Sequence, residues 1–219
     1  KLTEASYETL VPQIKEEIGV VLQEVAEGED DLSPEAYEQL AKIGKSVFSI
    51  ASGNAFFSSI YARLYKELME EYHFMESILD GNLDEYSSLF QTVEHVDPVK
   101  EYDRFCEVNK ENEQRRAMAK FFTNLYVMGV VSEERIVGFL VPMQDRVIAG
   151  ADDKEMVPVS QELAEVIFIF ITQGWEKLSH SEAAEEIKEK VTAVSRMTSS
   201  PGVSKKAVFK HMDIMDTWS

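Results

Sequence analysis

The stretch Val166-Ile-Phe-Ile-Phe-Ile171 decides between a protein that contains a sheet and one that does not. Six consecutive apolar residues are typical of a buried β-strand, but they also occur inside a buried helix. The surrounding sequence favours the helix, because Ser160-Gln-Glu162 is a start signal and Leu163 begins a series of apolar residues at helical spacing. The stretch therefore predicts a helix.

Nearly every other segment has the same helical period. The start, break and stop signals stand between the apolar stripes in this order: Ser33-Pro34-Glu35, Asn54, Gly81, Asp97-Pro98, Gly129, Ser132-Glu133, Ser181-Glu182 and Thr198-Ser-Ser-Pro-Gly202. Polar side chains that accept backbone N–H groups begin helices, and glycine commonly ends them. Nine or ten helices with short polar connections predict an all-α protein.

The spacing of these helices favours an array. Antiparallel helix pairs would recur about every 40 residues, which is the period of HEAT and armadillo repeats. The sequence has no crisp internal repeat, so a globular bundle remains an alternative. We expect a HEAT-repeat-like α-solenoid of about five antiparallel helix pairs, forming one domain over residues 1–219. Because the chain begins with Lys1 rather than Met, we also expect a fragment of a longer protein.

Composition predicts a soluble protein of the cytoplasm. The single cysteine, Cys106, excludes an internal disulfide framework and any multi-cysteine metal cluster. The longest apolar run has six residues, far below the roughly 20 that cross a bilayer. The sequence also lacks an Asn-x-Ser/Thr acceptor for glycosylation. We expect no membrane association.

The strongest compositional signal is negative charge. The chain has 22 Lys and Arg against 40 Asp and Glu, a formal net charge of −18. Residues 1–45 contain eleven acidic and four basic side chains, which gives −7 in that segment. Such a surface repels a phosphate backbone and attracts a basic protein. We therefore expect weak or no direct RNA binding, although the same charge also serves solubility.

No motif indicates catalysis. Gly44-Lys45-Ser46 lacks the upstream glycine and the preceding strand of a phosphate-binding loop. The four histidines are far apart and none has a two-ligand metal spacing. Carboxylate pairs are too frequent for any one to be chosen as acid and base. We expect a protein that is not an enzyme and needs no metal or cofactor, with a helical-bundle enzyme as the alternative from another class.

Two features exceed this background. The first is the basic cluster Arg115, Arg116 and Lys120, which is also compatible with an ordinary solvated helix face. The second is the acidic turn before Ser33, flanked by Leu32 and Tyr37, which is also compatible with ordinary helix capping.

Four motifs, taken in order, resemble the middle domain of the eukaryotic translation initiation factor four-gamma family, a HEAT-repeat scaffold. They are Leu32-Ser-Pro-Glu-Ala-Tyr-Glu-Gln-Leu40, Phe56-Phe-Ser-Ser-Ile-Tyr-Ala-Arg-Leu64, Glu113-Gln-Arg-Arg-Ala-Met-Ala-Lys-Phe-Phe-Thr-Asn-Leu-Tyr126 and Phe209-Lys-His-Met-Asp-Ile-Met-Asp216. The chain departs from the family at Phe121-Phe-Thr-Asn124, where the family has a glycine, and at Glu29, where it has a hydrophobic residue. These departures suit a divergent member, such as a virus-encoded relative.

The resemblance implies a scaffold that clamps and stimulates a DEAD-box RNA helicase through its first and last repeats. The helicase contacts carry over to Leu32, Tyr37 and Phe209, and contacts with RNA to Arg115, Arg116 and Lys120. Other initiation factors are further partners that the resemblance implies. A related scaffold in mRNA splicing, export or decay, which holds a different helicase, remains the alternative on the same fold.

Overall fold

The computed structural model describes residues 2–26, 34–89, 92–94, 96–97 and 99–218, with the backbone alone for residues 24–26, 34–37 and 87. Across these ranges there are nine α-helices, one short 3-10 helix at Lys154–Met156, and no strand. The α-helices are α1 Glu4–Ala26, α2 Pro34–Ser52, α3 Ser58–Glu71, α4 Phe74–Leu89, α5 Tyr102–Val127, α6 Glu133–Ala149, α7 Val157–Leu178, α8 Ala184–Ser195 and α9 Lys205–Asp216. None of the helices within the described ranges combines the length and the apolar character that crossing a membrane requires.

The stretch Val166–Ile171 is helical, as its flanks predicted, and lies in the middle of α7. All of its residues except Phe168 are buried. The reason is that α5, α6 and α9 all pack against α7. A helix enclosed from several sides can bury apolar residues around most of its circumference. The prediction of an all-α protein is therefore confirmed for the described residues.

The helices pack mainly against helices one or two positions away along the chain. The odd-numbered helices form one series, in which α1 contacts α3, α3 contacts α5, α5 contacts α7 and α7 contacts α9. Helix α2 packs against α4, and α6 packs against α8. Packing that advances from one neighbour to the next is consistent with an α-solenoid-like fold.

A chain of aromatic rings connects α4 to α7. Tyr86 of α4 has its ring centroid 4.8 Å from that of Phe122 and 5.3 Å from that of Phe139. Phe139 of α6 continues to Phe170 of α7 at 6.2 Å. These separations suit edge-to-face and offset contacts, each of which stabilises a core by about 0.5–1.5 kcal/mol beyond simple burial. The core therefore continues from α4 through α5 and α6 into α7.

Two predicted helix ends are confirmed. Ser132 accepts the backbone N–H of Arg135 at 3.3 Å and begins α6. Gly129, which follows α5, has a φ of +78°, a left-handed conformation that favours glycine after a helix. The predicted cap at Asn54 is wrong, because Asn54 accepts the N–H of Phe57 at 3.1 Å within the connection and α3 begins only at Ser58.

Three further predicted boundaries are wrong. Asp97 begins a turn, because its carboxylate accepts the N–H of Val99 at 2.9 Å, and α5 begins only at Tyr102. Gly81 does not break α4, which continues through it to Leu89. Helix α7 begins before Ser160, because the 3-10 helix leads directly into it.

The predicted turn at residues 198–202 connects two parts of the fold. The N–H of Gly202 donates to the carbonyl of Ala151 at 2.8 Å, which joins this turn to the connection between α6 and α7. A Cβ atom on Gly202 would lie 2.0 Å from the carbonyl oxygen of Gly150 and 2.4 Å from that of Asp153. Both neighbours are backbone atoms, so the position has no room for a side chain.

We expect Gly202→Ala to lower the free energy of unfolding by about 1–3 kcal/mol, because the two turns must separate to admit the methyl group. The matched control is Gly81→Ala, where an added Cβ meets no atom within 4 Å. That control should raise stability by about 0.5–1 kcal/mol through helix propensity. Urea denaturation followed by circular dichroism measures both, and a Gly202→Ala protein as stable as the parent would contradict the close approach.

Candidate functional site

The predicted helicase contacts differ in what the structure shows of them. Leu32 lies outside the described residues. Tyr37 lies in α2, where the structure describes its backbone but not its side chain. Phe209 lies on α9 with 61% of its surface exposed.

Phe209 is exposed because α9 has two distinct faces. The inner face contains Ala207, Val208, His211 and Ile214, all buried. His211 there shares a 2.7 Å hydrogen bond with the carbonyl oxygen of Ala207, while burial lowers its pKa and keeps the ring neutral. Met212, one turn along the outer face from Phe209, is 39% exposed. The outer face of α9 therefore presents two neighbouring apolar side chains that the core does not use.

Arg115 is not a surface residue, and its expected role as an RNA contact is withdrawn. Only 2% of its surface is exposed. Its Nε donates to the carbonyl oxygen of Leu89 at 2.8 Å, and its guanidinium also contacts Asn112 and lies 3.5 Å from a carboxylate oxygen of Glu111. The residue holds the end of α4 against α5.

Arg116 and Lys120 lie together in a groove. The groove has a volume of about 710 Å³ and runs along α5 and α7, closed on one side by α9. We name it the α5–α7 groove. Its remaining charged and apolar lining residues are Ala55, Lys110, Glu113, Ala117, Glu165, Phe168, Ile169 and Lys210. The structure thus adds lysines from the start of α5 and from α9 to the two basic residues that the sequence singled out.

Glu165 connects the cations of α9 to α7. Its two carboxylate oxygens lie 2.9 Å from the Nζ of Lys206 and 3.2 Å from the Nζ of Lys210. Burial opposes ionisation of Glu165, but the hydrogen bonds from these two lysines outweigh burial and lower the pKa of its carboxyl group. The Nζ of Lys210 also lies 4.0 Å from the centre of the Phe168 ring, a cation–π contact.

Glu162 is buried beside the groove, with 8% of its surface exposed. Burial raises the pKa of its carboxyl group to about 7, even though Arg116 and Arg115 act in the opposite direction. Its Oε1 atom lies 3.6 Å from the Nε of Arg116. Glu165, Lys206 and Tyr86 are the other ionisable groups that interact with it. Glu162 therefore exchanges a proton near neutral pH.

Sequence reasoning missed Lys110, Lys210 and the two buried carboxylates. Lys206 and Lys210 stand four residues apart in the last predicted helix, and this spacing was the one available signal. Nothing in the sequence says that α9 packs against α7 near Arg116. Among the described residues, no group of three or more His, Cys, Asp or Glu side chains is arranged to hold a metal ion.

No protein-family model matches this chain, and no curated protein sequence matches it significantly.

We expect Glu162→Gln to change how stability depends on pH. A folded-state pKa of about 7 means that the folded protein retains a proton that the unfolded chain releases near its ordinary pKa of 4.5. The contribution of Glu162 to stability therefore falls as pH rises from about 4.5 to about 7. The parent should lose more stability than Glu162→Gln between about pH 5 and pH 8, by on the order of 1–3 kcal/mol.

Urea denaturation across that range measures the difference. Glu165→Gln is the matched control, because the lowered pKa of Glu165 gives its contribution the opposite sign: it is present at neutral pH and is lost on acidification. If the stability of the parent and of Glu162→Gln changed in parallel with pH, Glu162 would not be a buried carboxyl group with a raised pKa.

Proposed function

We propose that the chain is a non-enzymatic HEAT-type scaffold in translation initiation that binds and stimulates a DEAD-box RNA helicase. The observation that carries the proposal is the exposure of Phe209 on a helix whose opposite face is buried. The resemblance to the four-gamma family assigns a helicase contact to this same position. An exposed aromatic residue beside an exposed methionine is typical of an interface anchor.

The packing of the helices supports a scaffold. Helices that pack mainly against helices one or two positions away along the chain leave long outer faces available to partners. The net charge of −18 favours a basic protein over a nucleic acid as the partner.

We expect Phe209→Ala to leave the melting temperature nearly unchanged and to weaken helicase binding by at least about 1 kcal/mol, about a fivefold change in Kd. A pull-down from cell extract supplies the helicase, and titration calorimetry with the purified helicase measures the affinity. The identity of that helicase also separates translation initiation from splicing, export or decay.

Two control variants make the result interpretable. Val127→Ala removes an apolar side chain that is 51% exposed at the end of α5, away from α9, and should change neither property. Ile214→Ala truncates a fully buried residue of α9 and should cost about 2–5 kcal/mol of stability. If Phe209→Ala melts as early as Ile214→Ala, or binds the helicase as tightly as the parent, the assignment of Phe209 is wrong.

Leu32→Ala tests the other end of the proposed clamp. We expect the same pattern as for Phe209→Ala, with an intact melting temperature and weaker helicase binding. Combining the two substitutions should lower affinity by roughly the sum of the separate effects if the two sites do not interact. A Leu32→Ala protein with full affinity would restrict the clamp to α9.

A further inference from the structure

The α5–α7 groove contains cations that the fold does not use. Arg116 interacts with Glu162, and Lys210 with Glu165, so both serve the packing of the helices. Lys110 and Lys120, by contrast, form no ion pair with any residue in the described part of the chain. These two lysines stand on a chain whose net charge is −18, where carboxylates are plentiful. Exposed lysines elsewhere, such as Lys45, also lack a carboxylate partner, but Lys110 and Lys120 line the same groove, and two such cations in one groove favour an external anionic ligand.

The geometry of the groove limits the form of that ligand. Lys110 and Lys120 are ten residues apart on α5, which is about 15 Å along the helix axis. Between them, the groove is lined by the apolar residues Ala117, Phe168 and Ile169, with the polar Gln114 and Arg116 beside them. A ligand must therefore bring negative charge to two points about 15 Å apart and an apolar surface between them.

The helices that line the groove favour a ligand that is itself helical. The groove runs along α5 and α7, whose interior N–H and C=O groups are paired within each helix. An extended peptide would find few backbone partners there, whereas a helix satisfies its own backbone hydrogen bonds. Helices also pack readily into the valley between two other helices.

We propose that the α5–α7 groove binds an acidic amphipathic helix of a partner protein. Acidic side chains about three turns apart contact Lys110 and Lys120, and the small apolar residues between them pack on Ala117 and Ile169. Glu113, at the edge of the groove, favours a basic or amide side chain opposite it. The site is separate from the outer face of α9, so it does not depend on the proposed helicase contact at Phe209.

RNA fits this groove less well. Glu113 and Glu165 place carboxylates among the cations, and a nucleic acid presents phosphates along its whole length. A peptide helix can place its acids opposite the lysines and leave the position opposite Glu113 uncharged or basic. This difference in charge spacing separates the two classes of ligand.

The probe is a fluorescein-labelled synthetic helix of about 18 residues, with two glutamates about three turns apart and alanine and leucine on the face between them. Fluorescence anisotropy measures its binding to the whole chain at about 50 mM and about 300 mM salt. We expect binding that weakens with salt. Lys110→Glu combined with Lys120→Glu should weaken it at least about tenfold.

The matched control combines Lys45→Glu with Lys154→Glu, which reverses two exposed lysines outside the groove and changes the net charge equally. This control should keep the affinity within about threefold of the parent. A peptide of the same composition in scrambled order should bind at least about fivefold more weakly than the probe. Lys110→Gln with Lys120→Gln provides a milder pair of substitutions if the glutamate variant melts early.

Three results would overturn the proposal. The first is the absence of measurable binding of the probe at low salt. The second is equal weakening by the control pair, which would show that added negative charge anywhere on the chain repels the probe and that Lys110 and Lys120 do not contact it. The third is tighter binding of a fluorescein-labelled oligouridine that the groove substitutions abolish, which would assign the groove to RNA.

Discussion

Helix α7 carries apolar residues on almost every side, and these residues are buried only if other helices surround it. Helices α5, α6 and α9 supply that enclosure. At roughly 25 cal/mol for each Å² of apolar surface buried, the enclosure of one such helix is a large favourable contribution to folding. The positions of the C-terminal helices follow from this requirement. The aromatic contacts among Tyr86, Phe122, Phe139 and Phe170 extend the same core towards α4.

The enclosure of α7 also explains where the charged groups gather. Helix α7 carries Glu165 in the lining of the groove and Glu162 beside it, next to Arg116, and both carboxylates are largely buried between α7 and the helices around it. A buried carboxylate must be paired, or its pKa must rise. Lys206 and Lys210 pair with Glu165 and keep it ionised, whereas Arg116 compensates Glu162 only in part. The packing of apolar surface and the electrostatics of the groove are therefore two results of one arrangement.

Helix α9 links this arrangement to the surface. Its inner face completes the core around α7, and Ser204 at its start donates its N–H to the Oγ of Ser160 at 3.0 Å. Its Lys210 lines the groove, while Phe209 and Met212 are exposed on the outer face. One short helix thus takes part in two surfaces of different chemistry, one apolar and one cationic. Surfaces of different chemistry favour different ligands, which limits competition between them.

The sequence by itself determined the features that depend on neighbouring residues. The helical period of Val166–Ile171, the cap at Ser132 and the stop at Gly129 all follow from backbone and side-chain preferences within a few residues. Tertiary structure decided the features that depend on residues far apart. Arg115 and Arg116 are adjacent in sequence, yet one bonds the end of α4 in the interior and the other lines the groove, because packing turns their side chains to different neighbours. Lys110 and Lys210 are one hundred residues apart in the sequence. They line the same groove only because α5 and α9 both pack against α7.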